Sequence, residues 1–479
     1  MKTFYFYDLE TSGLNPREQR IMQFAGQRTD MDLNPISERH NIFIKLTADV
    51  LPEPEAVLIT GITPQKTLEE GITEAEFLQI FHKEIATPDT IFVGYNTVRF
   101  DDEFIRYLHY RNFYDAYEWQ WSEGRGKWDL LDVVRMTRAL RPDGIEWPVG
   151  DNGKATVRLE VMTAANNIEH EGAHEALSDV KACIALAKLI KTLQPKLFQF
   201  LLTLRDKKAI QKLVEEGKPL VYTSGKYPAE YEKTTVAVMA ARNKDRGALM
   251  YDLRIDPTPY LKMSAEELYK QWKVKTKDES AERLPLKTLQ YNHCPAIAPL
   301  SVLDEASQQR IKIDMNEVAK NLKKLKSDAT FADKLTEMLQ IADKVQEEQR
   351  KQYTEGQTVD QQLYSGFFDN EDKTSMRVVR AATLAELKKL QLPFKDSRLE
   401  ELLPLYKARN FPESQTSVDK KYWEEYRRTK LMSGDDKSRA ARYFIRIADI
   451  SERDDLTKRE QSLLIDLDLY GQSIVPDSL

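Results

Sequence analysis

The spacing of apolar and polar side chains changes twice along the chain. Through roughly the first 190 residues strand-like and helix-like patterns alternate: residues 3–7, 42–46 and 90–95 read as strands, and 104–110 and 176–190 as helices. In the last of these, Val180, Ile184, Ala187 and Ile190 recur near a helical period, and Gln194-Pro195 closes the run. The alternation predicts an α/β domain. Beyond residue 195 the segments shorten: 219–223, 234–240 and 248–253 are strand-like, the last two joined by the polar turn from Arg242 to Gly247. They predict a small β-rich domain with helical insertions near 266–272 and 317–325, and the charged stretch 347–357 reads as a linker. From about residue 358 helical spacing dominates, and Leu399, Leu402, Leu403 and Tyr406 lay one apolar stripe on a helix. The predicted domains are therefore 1–194, 195–348 and 349–479.

Length and composition agree with this division. A chain of 479 residues exceeds what one hydrophobic core supports, and 41% hydrophobic with 31% charged residues suits a helix-rich globular protein. No segment approaches the roughly 20 apolar residues of a membrane span, and no basic-then-apolar leader opens the sequence. A cytoplasmic protein without a membrane role is expected. Cys183 and Cys294, far apart, are the only cysteines and argue against a disulfide framework or a cysteine zinc site. The net charge of −6 disfavours a polyanion partner, yet residues 196–250 hold eleven Lys and Arg against six Asp and Glu, which leaves room for a basic face.

Three short stretches carry candidate chemistry. Asp8 and Glu10 stand two apart on an aromatic strand, so they share a face within about 7 Å while Leu9 turns away. Like charges held on a rigid edge are costly unless a cation bridges them; an exposed strand with alternate polar positions would show the same pair. Next, the run 90–95 leads through Asn96 to Asp101 at a helix start, and loops at the carboxyl ends of strands are where such folds build sites. Asp101 could equally cap that helix. Finally, His174 and Asp179 are five apart, about 140° out of phase on a helix. The spacing therefore sets His174 on the loop after Gly172 and Asp179 on the first turns of the helix, facing the sheet. A lone loop histidine is otherwise surface decoration. Taken together, Asp8, Glu10, Asp101 and Asp179 offer four hard oxygen donors and His174 a base, a set that suits two Mg²⁺ or Mn²⁺ ions and not zinc. Nearby cations would keep His174 neutral and able to accept a proton from water.

The order and spacing Asp8-x-Glu10, Asn96-x-x-x-Phe100-Asp101 and His174-x-x-x-x-Asp179 resembles the three motifs of the DEDD superfamily of 3′–5′ exonucleases, in its histidine-bearing branch. Longer runs, among them Ala56 to Pro64, Tyr110 to Asp115, Trp128 to Asp132, Leu140-Arg141-Pro142, Gln362 to Phe368 and Ala408 to Pro412, resemble the bacterial exodeoxyribonuclease I family, and the likeness extends over nearly the whole chain. The resemblance implies a ribonuclease H-like exonuclease domain with a mixed central sheet, then an SH3-like (Src-homology-type) β-barrel and an α-helical carboxyl-terminal domain, around a groove for single-stranded DNA. It implies a monomeric 3′–5′ exodeoxyribonuclease of DNA repair and recombination, processive on single strands and releasing 5′-mononucleotides. The implied catalytic set is Asp8, Glu10, Asp101, His174 and Asp179, with the four carboxylates holding two Mg²⁺ per site and Mn²⁺ able to substitute.

Substrate contacts are read from composition and resemblance together. Eleven of the 34 residues from Tyr95 to Trp128 are aromatic, against 9% of the chain, with Arg99, Arg106, Arg111, Arg125 and Lys127 interleaved. Stacking surfaces mixed with phosphate-binding charges favour single strands. Phe100, Phe104 and Tyr107 are expected to pack the helix on the sheet, leaving the later aromatics for bases. The resemblance implies that Glu10, Arg106, Tyr117, Trp121 and Arg135 contact the strand and that Arg158 contacts its terminal nucleotide; Arg158 could equally pair with Glu160 or Asp151. It also implies a partner, single-stranded DNA-binding protein, whose acidic tail would dock at Arg141, Phe200, Lys218 and Lys326. Here the chain departs from the family pattern, with Asp304 and Pro299 in place of a basic and an amide side chain and Phe200 in place of a tyrosine. Other readings are a 3′ exoribonuclease or proofreading exonuclease of the same superfamily, against which two further large domains weigh, and a non-catalytic clamp, which would not need all five catalytic residues.

Overall fold

The computed structural model describes residues 1–150, 153–170, 175–274, 283–354 and 356–476. The chain forms two compact units, one of residues 1–125, 171–181 and 356–479, the other of residues 126–170 and 182–355.

The first unit is built on strands β1 (Thr3–Thr11), β2 (Ile21–Thr29), β3 (His40–Phe43) and β4 (Thr90–Gly94), in the order β3-β2-β1-β4. β1 is antiparallel to β2 and parallel to β4, which makes the sheet mixed. Alternation along β1 decides what each face does. Tyr5, Tyr7 and Leu9 enter a core with Phe24, Phe77, Phe81, Phe92 and Trp119. The opposite face begins with buried Phe4 and Phe6 and continues to Asp8 and Glu10, where β1 ends in a register shift between Glu10 and Thr11.

Helices α1 (Pro54–Thr60), α2 (Pro64–Glu70) and α3 (Glu74–Ile80) lead up to β4, and α4 (Asp101–Arg111) follows it. Between β4 and α4 the chain turns at Asn96, whose φ of 72° is a left-handed conformation that asparagine tolerates better than most side chains. The second unit contributes β5 (Gly126–Asp129), α5 (Leu130–Leu140) and α6 (Leu159–Ala165). Helix α7 (Ala176–Leu193) divides between the units, residues 176–181 in the first and 182–193 in the second.

The carboxyl-terminal helices share cores with the amino-terminal domain. Leu46, Val50 and Val57 pack with Leu431, Tyr443, Leu464 and Leu467, while Tyr107, Tyr110 and Phe113 pack with Leu363, Met376, Leu402 and Tyr406. Each large apolar side chain buried this way contributes about 2 kcal/mol, so the two ends of the sequence stabilise each other.

In the second unit β6 (Leu220–Thr223), β7 (Thr234–Asn243), β8 (Gly247–Asp252), β9 (Leu286–Gln290) and β10 (Ala296–Pro299) form an antiparallel sheet in the order β10-β6-β7-β8-β9, where the small β-rich domain was expected. The β7–β8 corner requires glycine: Gly247 has φ 145°, and a Cβ there would lie 1.9 Å from the Leu289 carbonyl oxygen. The expected helical insertions are the helices Ala265–Lys273 and Met315–Ser327.

Two expectations need correction. The charged stretch 347–357 is largely not a linker, because the helix Phe331–Thr354 runs through it; a helix end that is polar all round reads like a tether. β2 was not expected at all. Its apolar residues are interrupted by Gln23 and Gln27, which are buried but satisfied by Asn41 Oδ1 at 2.7 Å and the Ser37 carbonyl at 2.8 Å. Among the described residues no helix is long and apolar enough to cross a membrane.

Candidate active site

Strand β1 and helix α7 bring three acids together from opposite ends of the exonuclease segment. Carboxylate oxygens of Asp8, Glu10 and Asp179 lie within 4.8 Å of one another. Glu10 is buried, whereas Asp8 and Asp179 keep an edge open to water. Asp179 occupies the first turn of α7, where its backbone N–H donates to the Glu175 carbonyl at 3.1 Å. His174 lies outside the described residues.

Electrostatics single out the cluster. Burial pushes the Asp8 carboxyl well above its ordinary range, and the charges of Asp101 and Asp179 push it further. Burial, then Asp8 and Asp179, raise Glu10 to about 9. Carboxylates that resist ionisation because they are buried, and buried among other acids, form a site that favours positive charge. The donor set is all oxygen, which fits a hard divalent cation of the Mg²⁺, Mn²⁺ or Ca²⁺ type and not zinc.

Asp101 and Asp102 open α4 and divide in role. Asp101 is buried beside Asp8, near enough to raise it, but outside the close trio. It is the first helical residue, after an N-cap at Phe100 that makes no side-chain cap, so Asp101 is not the helix cap. Asp102 turns inward and accepts a 2.6 Å hydrogen bond from the Tyr7 hydroxyl. That bond ties α4 to β1 next door to Asp8.

The other predicted residues fall in varied settings. Phe104 is in the sheet core and Phe100 packs against it, as expected, whereas Tyr107 faces the other way, into the core shared with the carboxyl-terminal helices. Trp121 is 66% exposed, and Tyr117 is half-buried with the Arg106 guanidinium 5.4 Å from its ring centre. Arg106 itself is nearly buried, paired with Glu103 and donating to Gln120 Oε1 at 3.0 Å. Arg111, grouped above with phosphate-binding charges, is instead buried and donates to Glu74 at 2.8 Å; its charge is consumed inside the protein.

In the second unit, Arg135 pairs with Asp132 at 2.6 Å and lies against Gly225, and Arg158 pairs with Glu160 while staying mostly exposed. Gly225 also lines a groove of about 1510 Å³ bordered by nine Lys and Arg, among them Lys226, Lys233, Lys287 and Lys312, against Glu230 and Glu232. Lys287 sits over the Tyr227 ring at 3.6 Å, and burial lowers its ammonium to about 7 despite the opposing pull of Asp252. The basic excess over 196–250 anticipated part of this groove; Lys287, Arg310 and Lys312 lie beyond that stretch and had no local signal. At the proposed partner position Arg141 pairs with Asp304 at 3.3 Å and donates to the Val302 carbonyl at 2.8 Å. Lys218 and Lys326 are exposed and Phe200 is half-buried.

A mixed sheet presenting an acidic trio at the end of its central strand, and an antiparallel sheet whose domain carries a basic groove, define a nuclease of the exonuclease fold. Family models agree: Exonuclease matches residues 5–187, Exonuclease I SH3-like domain residues 205–341, and Exonuclease I C-terminal domain residues 357–474. Exodeoxyribonuclease I of Haemophilus influenzae is 42% identical over 437 residues, 90% of each chain. Escherichia coli exonuclease I in complex with a dA16 oligonucleotide superposes with a TM-score of 0.93 at 37% identity, covering 99% of this chain and 100% of that one. A structure of SSB/exonuclease I in complex with an inhibitor superposes with a TM-score of 0.88, also at 37% identity and with the same coverage. The chain belongs to the exodeoxyribonuclease I family, whose exonuclease domain implies dependence on a divalent metal.

Proposed function

We propose that this chain is a 3′–5′ exodeoxyribonuclease that degrades single-stranded DNA processively to 5′-mononucleotides, acting in DNA repair and recombination as a cytoplasmic monomer. The convergence of Asp8, Glu10 and Asp179, residues far apart in sequence, carries this reading.

With Asp101 beside them, these carboxylates are the ligands we assign to two Mg²⁺ ions, with Mn²⁺ able to substitute. Bound divalent ions supply positive charge to the scissile phosphate and the leaving 3′ oxygen. The acids accept the ions once ionised, and their raised proton affinities make metal and proton competitors for one site. His174 is assigned as the base that takes a proton from the attacking water. Tyr7 holds Asp102, and through it the start of α4, so that Asp101 keeps its place next to Asp8.

Glu10, Arg106, Tyr117, Trp121, Arg135 and Arg158 are assigned to the strand. Exposed rings accept any base, and the basic groove next to Arg135 suits a phosphate backbone. Arg106 serves through Tyr117, whose ring it backs, since its own charge is already paired. Arg141, Phe200, Lys218 and Lys326 are assigned to the acidic tail of single-stranded DNA-binding protein, which has to displace Asp304 from Arg141.

An end-labelled oligonucleotide assay with Mg²⁺ tests the reading. Single-stranded DNA labelled at its 5′ end should give a shortening ladder, and the 3′-labelled strand should release labelled mononucleotide at once. Faster hydrolysis of RNA, or attack from the 5′ end, would overturn it.

A further inference from the structure

Just past the register shift at Glu10, the chain is held by a side chain from another element. Glu53 is the N-cap residue of α1, yet its side chain makes no cap to that helix. Instead Glu53 Oε2 accepts the Leu14 backbone N–H at 3.2 Å, while the Glu53 backbone N–H donates to the Ser12 carbonyl at 2.7 Å. The two bonds straddle Gly13. A Cβ there would lie 2.4 Å from Glu53 Cδ, so glycine leaves the room in which the carboxylate lies along the backbone. The rest of the turn has its own anchors. The Ser12 hydroxyl donates to Gln19 Oε1 at 2.6 Å and its backbone N–H to the Arg20 carbonyl at 2.9 Å, and Glu18 accepts from Gln361 at 2.9 Å and Arg439 at 2.6 Å. Glu18 thus has a cation, whereas none pairs with Glu53 among the described residues. Burial raises the proton affinity of Glu53 against the pull of the Leu14 N–H, and Glu55 and Glu18 raise it further. A half-buried carboxylate kept without a counter-charge, and turned away from its own helix, is costly unless the bond to Leu14 matters.

We propose that Glu53 is a positioning residue for the acidic site: by holding Ser12 and Leu14 on either side of Gly13 it fixes the end of β1, and with it the direction in which Glu10 presents its carboxylate to Asp8 and Asp179. The inference rests on the acidic trio being a site for divalent metal. Irregularities at strand ends re-aim side chains, and the one between Glu10 and Thr11 is tied to this turn, because the Thr11 hydroxyl donates to the Gly13 carbonyl at 2.9 Å. Glu53 acts through the backbone, so what counts is the oxygen that meets the Leu14 N–H and not its charge.

The test compares Glu53→Gln with Glu53→Asp. Gln removes the charge but keeps an oxygen at the same reach for the Leu14 N–H; Asp keeps the charge but is one methylene shorter and loses the bond. Mn²⁺ binding to each protein without DNA, read by electron paramagnetic resonance of the free ion, is measured beside mononucleotide release at limiting Mg²⁺. Glu53→Gln should match wild type in both. Glu53→Asp should bind Mn²⁺ about 10–100-fold more weakly, the usual loss when a residue that orients a metal ligand is removed, and its release of mononucleotides should fall in step. Wild-type Mn²⁺ affinity in Glu53→Asp, or an equal loss in the Gln and Asp variants, would overturn the assignment. Wild type that binds Mn²⁺ and releases mononucleotides keeps the proposed function whatever the variants do; a wild type that does neither overturns both.

Discussion

Two groups of buried acids in the first unit have opposite environments. At the candidate active site Asp8 and Glu10 face other carboxylates, and their proton affinities rise. Where the carboxyl-terminal helices meet the amino-terminal domain, Asp49 and Asp360 are at least as deeply buried, yet both are held well below the ordinary carboxylate range. Burial raises these two as well; Arg409, Lys430 and Arg20 outweigh it. Lys430 reaches Asp49 at 2.6 Å, Arg409 reaches Asp49 at 2.8 Å and Asp360 at 2.7 Å, and Arg20 reaches Asp360 at 2.9 Å. One cluster carries its own counter-charges, and the other sets carboxylate against carboxylate. Burial alone therefore does not separate the two groups; the charges that face each acid do.

The contrast can be broken most severely at the site. Asp8→Ala or Asp179→Ala should reduce mononucleotide release to background while strand binding in Ca²⁺ persists; turnover surviving in either variant would remove the trio from the chemistry. His174→Ala should slow release by about two to four orders of magnitude at saturating Mg²⁺, with the metal-induced rise in melting temperature retained, which separates the base from the cation ligands. In the cluster that carries its own counter-charges, Asp360→Ala strands buried guanidinium groups and should cost about 3–5 kcal/mol in denaturant unfolding. Because the folded state holds Asp49 and Asp360 ionised below their ordinary range, their contribution is present above about pH 4 and is lost as acid protonates them.

The smallest effect has the opposite sign. In metal-free protein the unfolded chain ionises Glu10 from about pH 4.5 and the folded chain only near 9, so stability should fall as pH rises between those values. Glu10→Gln should therefore stabilise metal-free protein at pH 8 by at least about 1 kcal/mol, one pKa unit's worth. The gain should vanish near pH 4 and reverse when Mg²⁺ is added, since the variant loses a ligand. A Glu10→Gln melting curve with the same pH dependence as wild type would show that the trio carries no excess charge.

How much of this was legible in the sequence depends on how local each signal is. Alternation put Asp8 and Glu10 on one face and Leu9 on the other, and helical spacing placed Asp179 at the start of α7; both are features of a few adjacent residues. The division between Asp101 and Asp102 was not visible, because it depends on a tyrosine from β1 choosing one of them. Arg111 read as a surface charge because its partner Glu74 lies 37 residues away. The helix running through 347–354 was hidden because a solvated helix and a tether share one composition. Asp49, Asp360 and their cations left no mark at all: they come from segments about 300 residues apart, and only the closed core makes them neighbours.

The first unit takes residues 1–125 from the start of the chain and 356–479 from its end. At a ribosomal pace of roughly 5–20 residues per second, the opening strands wait some 20–70 s for the last helices to emerge. Until then Asp49 has no Lys430 or Arg409, and the aromatic faces of α4 lie bare. A nuclease assembled this way reaches its working shape only after these helices have been made, and a product truncated before them lacks the residues that close the cores around α4 and Asp49.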